Sequence, residues 1–128
     1  MNSEKVIFGF FITLAATLNF GFWTGDMARV ELHNVWGLVA ALVVSLIATV
    51  LKLGDRTQLG AVHLATSLVA DVQLCAGVVI WIWAALSPSG ILPADMALVV
   101  SMSAGALLAN VVSVALMVAE IIASHRQR

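Results

Sequence analysis

Four long apolar runs, residues 6–23, 35–53, 59–86 and 91–123, make up most of this 128-residue chain, and the only carboxylate or ammonium side chains inside them are Lys52, Asp71, Asp95 and Glu120. About 20 apolar residues in an α-helix, each rising 1.5 Å, cross a hydrocarbon core of about 30 Å. Every run meets that length. A water-soluble reading fails on supply and demand: 62% of the residues are hydrophobic and 10% charged, whereas soluble domains average about 45–50% and 25%. The expected fold is all-α, a single domain over residues 1–128 in the form of a four-helix transmembrane bundle. Its first partner is the lipid bilayer. A formal net charge of −1 offers none of the basic surface that nucleic acid requires.

The chain's own punctuation sets the boundaries. Lys5 followed by an apolar run resembles a secretory leader, but the run ends in Phe22-Trp23-Thr24, where a cleavage site needs small residues. It is expected to stay as the first span. Between spans two and three, Gly54 suits a left-handed helix stop, and Asp55 with Gln58 three residues on suits a capping box. Ser87-Pro88-Ser89-Gly90 reads as the next turn, and Pro93 fits the first turn of the last helix. The stretch 24–34 is the longest connection, read either as an ordered loop or as a short interfacial helix.

Basic residues set the orientation. With four spans, Lys5, Lys52, Arg56, Arg126 and Arg128 fall on one side and Arg29 alone on the other. Positive charge gathers on the cytoplasmic side, so both termini are expected there. Trp23, Trp36, Trp81 and Trp83 fall near the opposite ends of the spans, where an interfacial aromatic belt belongs.

Helices in lipid associate where small residues let backbones approach. Three spans carry such residues every fourth position: Gly9, Thr13, Thr17 and Gly21 in the first; Gly37, Ala41, Ser45 and Thr49 in the second; Ser101, Gly105, Ala109 and Ser113 in the fourth. These ladders, with Gly9, Gly21, Gly37 and Gly105 as anchors, are expected to mark helix–helix seams within one bundle or between subunits.

Asp71 is the one acid deep in an apolar span. About 18 Å of helix separates it from the nearer end of its run at 1.5 Å per residue, which puts it near the midplane. An aspartate there costs about 2.5–3.5 kcal/mol on insertion scales, so such residues face the bundle interior. Asn19, Asn110 and Gln73 sit at comparable depth, predicting a polar cluster with Asp71. His63, Ser67, Asp71 and Cys75 recur every fourth residue as a drifting stripe. His63 and Glu120 share a depth nearer the inner surface and form an expected inner-mouth pair, each near enough to the interface to reach water. Three readings of the cluster stand side by side: interhelical hydrogen-bonded glue, worth about 0.6 kcal/mol per bond, an ion- or proton-handling site, or a surface for docking a partner.

Catalysis is not expected. The sequence has no His-Glu-x-x-His helix, no Gly-x-Ser-x-Gly elbow and no phosphate-cradling loop. No metal site or cofactor is expected, and the lone Cys75 reads as a small buried hydrophobe. The first span lacks the acid of small multidrug exporters, and the Gly-rich, Arg-bearing first-helix motif of double-topology fluoride channels is missing too. Residues 4–11 (EKVIFGFF), 48–57 (ATVLKLGDRT) and 68–74 (LVADVQL) instead resemble a family of small four-helix bacterial inner-membrane proteins without an assigned function. That resemblance implies a multi-pass protein of the bacterial cytoplasmic membrane, with a loose link to potassium uptake. The loops are short for a third reading, a signalling or stress-response protein whose exposed loops contact regulators, and two functions lead. One is an accessory subunit docked on a larger membrane complex, such as a potassium-uptake system. The other is a small homo-oligomeric ion channel or proton-coupled carrier built on Asp71.

Overall fold

A computed structural model describes residues 3–24, 29 and 33–126 of the protein. Four helices follow one another: α1 (Ser3–Trp23), α2 (Val35–Lys52), α3 (Gln58–Leu86) and α4 (Pro93–Arg126). All four are long and apolar enough to cross a membrane. At 29 and 34 residues, α3 and α4 run about 44 and 51 Å at 1.5 Å per residue, so they outreach a hydrocarbon core of about 30 Å. Most of the 24–34 connection, where an interfacial helix was one expectation, lies outside the described residues, as do Asp26, Glu31 and Arg128.

Cross-helix contacts fix the topology. Lys5 near the start of α1 pairs with Glu120 near the end of α4, and Asn19 further along α1 meets Ser103 further back on α4. The two helices are therefore antiparallel. Each helix packs against its sequence neighbours, and α4 closes the ring on α1. Outward-facing Phe10, Val72, Leu108 and Ile121 are 60–68% exposed, the reverse of a soluble surface and the pattern of a multi-pass membrane protein. Trp23, Trp36 and Trp83 are exposed at the end opposite the termini, while Lys5, Lys52 and Arg56 sit at the terminal end.

The interior follows alternating steps of three and four residues. On α1 the buried positions are Phe8, Ile12, Ala15, Asn19 and Phe22. On α3 they include Gly60, His63, Ser67, Ala70, Leu74 and Gly77. That mean step of 3.5 is the seam of left-handed helix packing. The four-residue ladders drift off such a seam by about 40° per step, because a helix turns 100° per residue. On α1 the ladder lies outside: Thr13, Thr17 and Gly21 are exposed. Among the described residues, no atom of another helix lies within 4 Å of where a Cβ of Gly21 or Gly37 would stand, so neither brings two of these helices together. Gly9, which faces Met117, and Gly105, which faces Gln73, do. On α2 the ladder and the seam share Ala41, Ser45 and Thr49, all buried.

Drift also moves Cys75. His63, Ser67 and Asp71 are buried, but three four-residue steps turn the stripe by about 120°, and Cys75 ends on the exposed face rather than in the interior.

The turn between α2 and α3 differs from expectation. Leu53 caps α2 in the right-handed helical region, and Gly90 is the sole glycine of positive φ among the described residues. Gly54 therefore does not supply a left-handed stop. The N-cap of α3 is Thr57, whose hydroxyl accepts from the Gly60 amide. Asp55 instead accepts from the amide and hydroxyl of Thr57, at 2.9 and 2.6 Å. Thr57 wins because it sits immediately before the first helical residue, where a cap oxygen reaches the N3 amide. Pro93 opens α4, and Asp95 reaches back to the Leu92 amide at 3.0 Å, one half of a capping box.

Candidate functional site: a polar column in the bundle

The interior changes character along its length. At the end opposite the termini, Phe22, Leu38, Leu74, Met96, Val99 and Val100 form a buried apolar plug. His33 seals its rim: its Nδ1 lies 2.6 Å from the Phe22 carbonyl, which only accepts, so that nitrogen donates. From the middle toward the termini a second apolar cluster of Phe8, Ile12 and Ala48 is joined by buried polar residues: Ser45, Thr49, His63, Ser67, Asp71, Asn110 and Ser113.

Asp71 is 6% exposed, and α2 holds it. Ser45 donates to its Oδ1 at 2.7 Å, and the Thr49 hydroxyl contacts its Oδ2. Thr49 also reaches the Ser45 carbonyl at 3.0 Å. A hydroxyl has one proton, so Thr49 fully serves one of these acceptors at a time. Among the described residues, no lysine, arginine or histidine forms an ion pair with Asp71. The sequence placed Ser45 and Thr49 in a packing ladder and missed them as partners of the acid. The available signal was that Ser45 lies at the middle of α2 as Asp71 lies at the middle of α3.

The other polar residues do not gather around Asp71 at one level. Asn19 is fully buried and meets Ser103 of α4, whose hydroxyl lies 3.3 Å from its Oδ1 and 3.2 Å from its backbone carbonyl. Gln73 lies on the α3–α4 seam over Gly105, where a Cβ would run into its amide. His63 Nδ1 lies 2.8 Å from the Ser113 hydroxyl, which Thr66 also approaches at 3.1 Å. The pairings of His63 with Ser113 and of Gln73 with Gly105 set the α3–α4 register. That register puts Ser67 level with Asn110, between His63 and Asp71. Depth counted along each helix separately gave one layer; side-by-side registration spreads the same residues into a column. From His63 to Asp71 it spans about 12 Å.

Along this column, Nε2 of His63, Oγ of Ser67 and both polar atoms of the Asn110 side chain have no hydrogen-bond partner among the described residues, and nor do Nδ2 of Asn19 and Oε1 of Gln73 beyond it. Buried polar atoms of folded proteins are almost always paired with protein or ordered water, and an unpaired one costs about 1–3 kcal/mol. The column is a poor fit to dry interhelical glue.

His63 and Glu120 do not pair with each other. Glu120 binds Lys5 at 2.8 Å, and His63 is 1% exposed, wedged edge-on against Phe8 with ring centroids 5.0 Å apart. It is a core residue rather than one reaching to water along the surface. Both nevertheless line a cavity of about 680 Å³ under the α2–α3 turn, together with Lys5, Lys52, Asp55 and Arg56. The hydroxyl of Thr57, then its amide, hold the Asp55 carboxyl below the usual carboxylate range. No group of three or more His, Cys, Asp or Glu side chains able to hold a metal occurs among the described residues.

Comparison with curated proteins and with solved structures finds no match. The profile of a family of unknown function, DUF6394, matches residues 32–121, from just before α2 through nearly all of α4. The stretch includes Ser45, Thr49, His63, Asp71, Asn110 and Ser113, while α1 lies outside it. Matched over more than half its length, the chain belongs to the DUF6394 family.

Proposed function

We propose that this protein handles protons in the membrane, as a small proton-coupled carrier or channel with Asp71 as the binding group. The observation that carries this reading is a carboxyl group buried at mid-bundle, held by two hydroxyls and no cation, at the inner end of a column of unpaired polar atoms. Intramembrane acids are costly, and they recur in proton relays. A proton entering from the large cavity would pass His63, then Ser67 and Asn110, and bind Oδ2 of Asp71. There the protonated acid donates to Thr49, which frees Thr49 to donate to the Ser45 carbonyl. The apolar plug from Phe22 to Val100 closes the opposite end, while the cavity at the terminal end reaches inward as far as His63. The positive-inside rule supports a cytoplasmic side for the end that carries Lys5, Lys52 and Arg56, and with it the reading of a bacterial inner-membrane protein. The test is proton flux in proteoliposomes carrying an internal pH dye. Wild type should dissipate an imposed gradient and Asp71→Asn should not. Equal flux from both, or none from either, removes the proposal.

A second reading is an accessory subunit docked on a larger complex, such as an ion-uptake system. One observation favours it: Thr13, Thr17 and Gly21 form a small-residue face on the outside of the bundle. Extraction in a mild detergent should then recover a particle larger than the bundle or its homo-oligomer.

A further inference from the structure

A second space adjoins the polar cavity. It is a cleft of about 400 Å³ between α1 and α4, walled by Val6, Phe8, Gly9, Met117 and Ile121. Lys5, Lys52, His63 and Glu120 line both spaces, so the two meet at a charged neck. Val6 and Ile121 at the lips are 52% and 63% exposed on the face that a bilayer would cover. The cleft therefore opens sideways, into the acyl region, while the neck lies at headgroup level near the start of α1 and the end of α2.

The neck is built to receive an oxyanion. The Lys52 ammonium sits 4.3 Å above the Phe8 ring, with its side chain 14% exposed and its nearest carboxylate, Asp55, at 3.6 Å. His63 Nε2 is buried without a partner, and when Ser113 donates to Nδ1 the imidazole proton stands on Nε2, ready to donate. Lys5 holds Glu120 in a half-exposed ion pair, a kind worth about 0–1 kcal/mol, so its ammonium can turn to another acceptor. Glu120 is the one carboxylate that lines both spaces, where it faces Lys5 and Lys52. On the polar side Arg56 stands with Glu4 and Asp55, and Asp55 pairs with Lys52.

We propose that the neck and cleft bind one anionic phospholipid. Its phosphate would sit against Lys52, His63 Nε2 and Lys5, and one acyl chain would lie in the cleft over Gly9. Basic pockets between transmembrane helices at the cytoplasmic surface select anionic headgroups in this way. Gly9 contributes through its missing side chain. A Cβ there meets only Met117, at 3.6 Å, whereas a longer side chain would occupy the floor of the cleft. The site does not depend on whether Asp71 carries protons.

Native mass spectrometry of the full-length protein in neutral detergent tests this, with titrations of phosphatidylglycerol, phosphatidylcholine and inorganic phosphate. We expect one phosphatidylglycerol per chain, phosphatidylcholine at least fivefold weaker, and no displacement by inorganic phosphate. Lys52→Gln should weaken phosphatidylglycerol about fivefold. Gly9→Leu keeps every charge and should weaken it as well, with circular dichroism confirming helix content in both variants. Equal retention of the two lipids, displacement by inorganic phosphate, or unchanged binding by Gly9→Leu would each overturn the assignment.

Discussion

Ser45 of α2 donates a 2.7 Å hydrogen bond to Oδ1 of Asp71 on α3, and Thr49, one turn along, contacts the other carboxyl oxygen. Two hydroxyls on one helix thus clamp the one carboxyl group at the middle of the bundle. An asparagine at position 71 keeps this pattern: its carbonyl accepts from Ser45 and its amide donates to Thr49, as a protonated acid would. Asp71→Asn should therefore unfold within about 1 kcal/mol of wild type while losing proton flux. Ser45→Ala removes a bond outright and should cost about 0.6–1.7 kcal/mol, the range of measured membrane hydrogen bonds. Unfolding in mixed micelles by sodium dodecyl sulfate titration measures both. A collapse of Asp71→Asn would show instead that the ionised carboxylate is what holds the fold.

Gln73 buries an unpaired amide oxygen against the α-carbon of Gly105. Gly105→Ala drives a Cβ into that amide, and the cost depends on how far the flexible side chain swings aside. In the Gln73→Ala background the space is empty, so the same substitution should cost less. We expect a coupling of about 0.5–3 kcal/mol from the four-variant cycle, as for residues in direct contact. Strict additivity would mean that Gln73 does not rest on Gly105.

Asp55 predicts a pH dependence of known sign. Its folded pKa lies below the reference value of 3.8, chiefly through the Thr57 hydroxyl and then the Thr57 amide. The stabilisation is therefore complete above the unfolded pKa, near 4, and is lost as pH falls through the lower folded value. The melting temperature should be insensitive to this group between pH 5 and pH 7, on the order of those values, and should fall more steeply below pH ~4 in wild type than in Asp55→Asn. Parallel curves would remove Asp55 from the turn. Thr57→Ala, which deletes the N-cap, should cost about 1 kcal/mol through the cap and should also flatten the acid dependence, because it removes the hydroxyl that holds the ionised Asp55.

Cys75 faces outward, four residues past an Asp71 that faces inward. In proteoliposomes it should react with a lipid-soluble maleimide and resist a charged, water-soluble one. A cysteine placed at position 71 in a Cys75→Ser background should show reduced reaction with the lipid-soluble reagent. Equal labelling of both positions by that reagent would place Asp71 on the lipid face and remove the polar column.

Much of the architecture was legible in the sequence because it rests on local quantities. Apolar run length against bilayer thickness gave four spans, and the helices begin and end within three residues of the expected bounds. The buried place of Asp71 followed from the cost of exposing an acid to lipid. The partners were not legible. Which neighbour a side chain meets depends on the rotation and axial offset of two helices, and neither is written in the residues of one. Counting depth along single helices put Asn19, Asp71 and Asn110 in one layer, whereas the α3–α4 register set Asn110 beside Ser67 and left Asp71 to Ser45 and Thr49. The same ignorance of rotation made a four-residue ladder on α1 look like a seam, when the true seam steps by three and four through Phe8, Ile12, Ala15 and Asn19. Chain chemistry alone decided that this protein crosses a membrane. Packing alone decided which polar atoms find each other and which are left facing the column, because helix rotation is settled by the joint fit of all four surfaces.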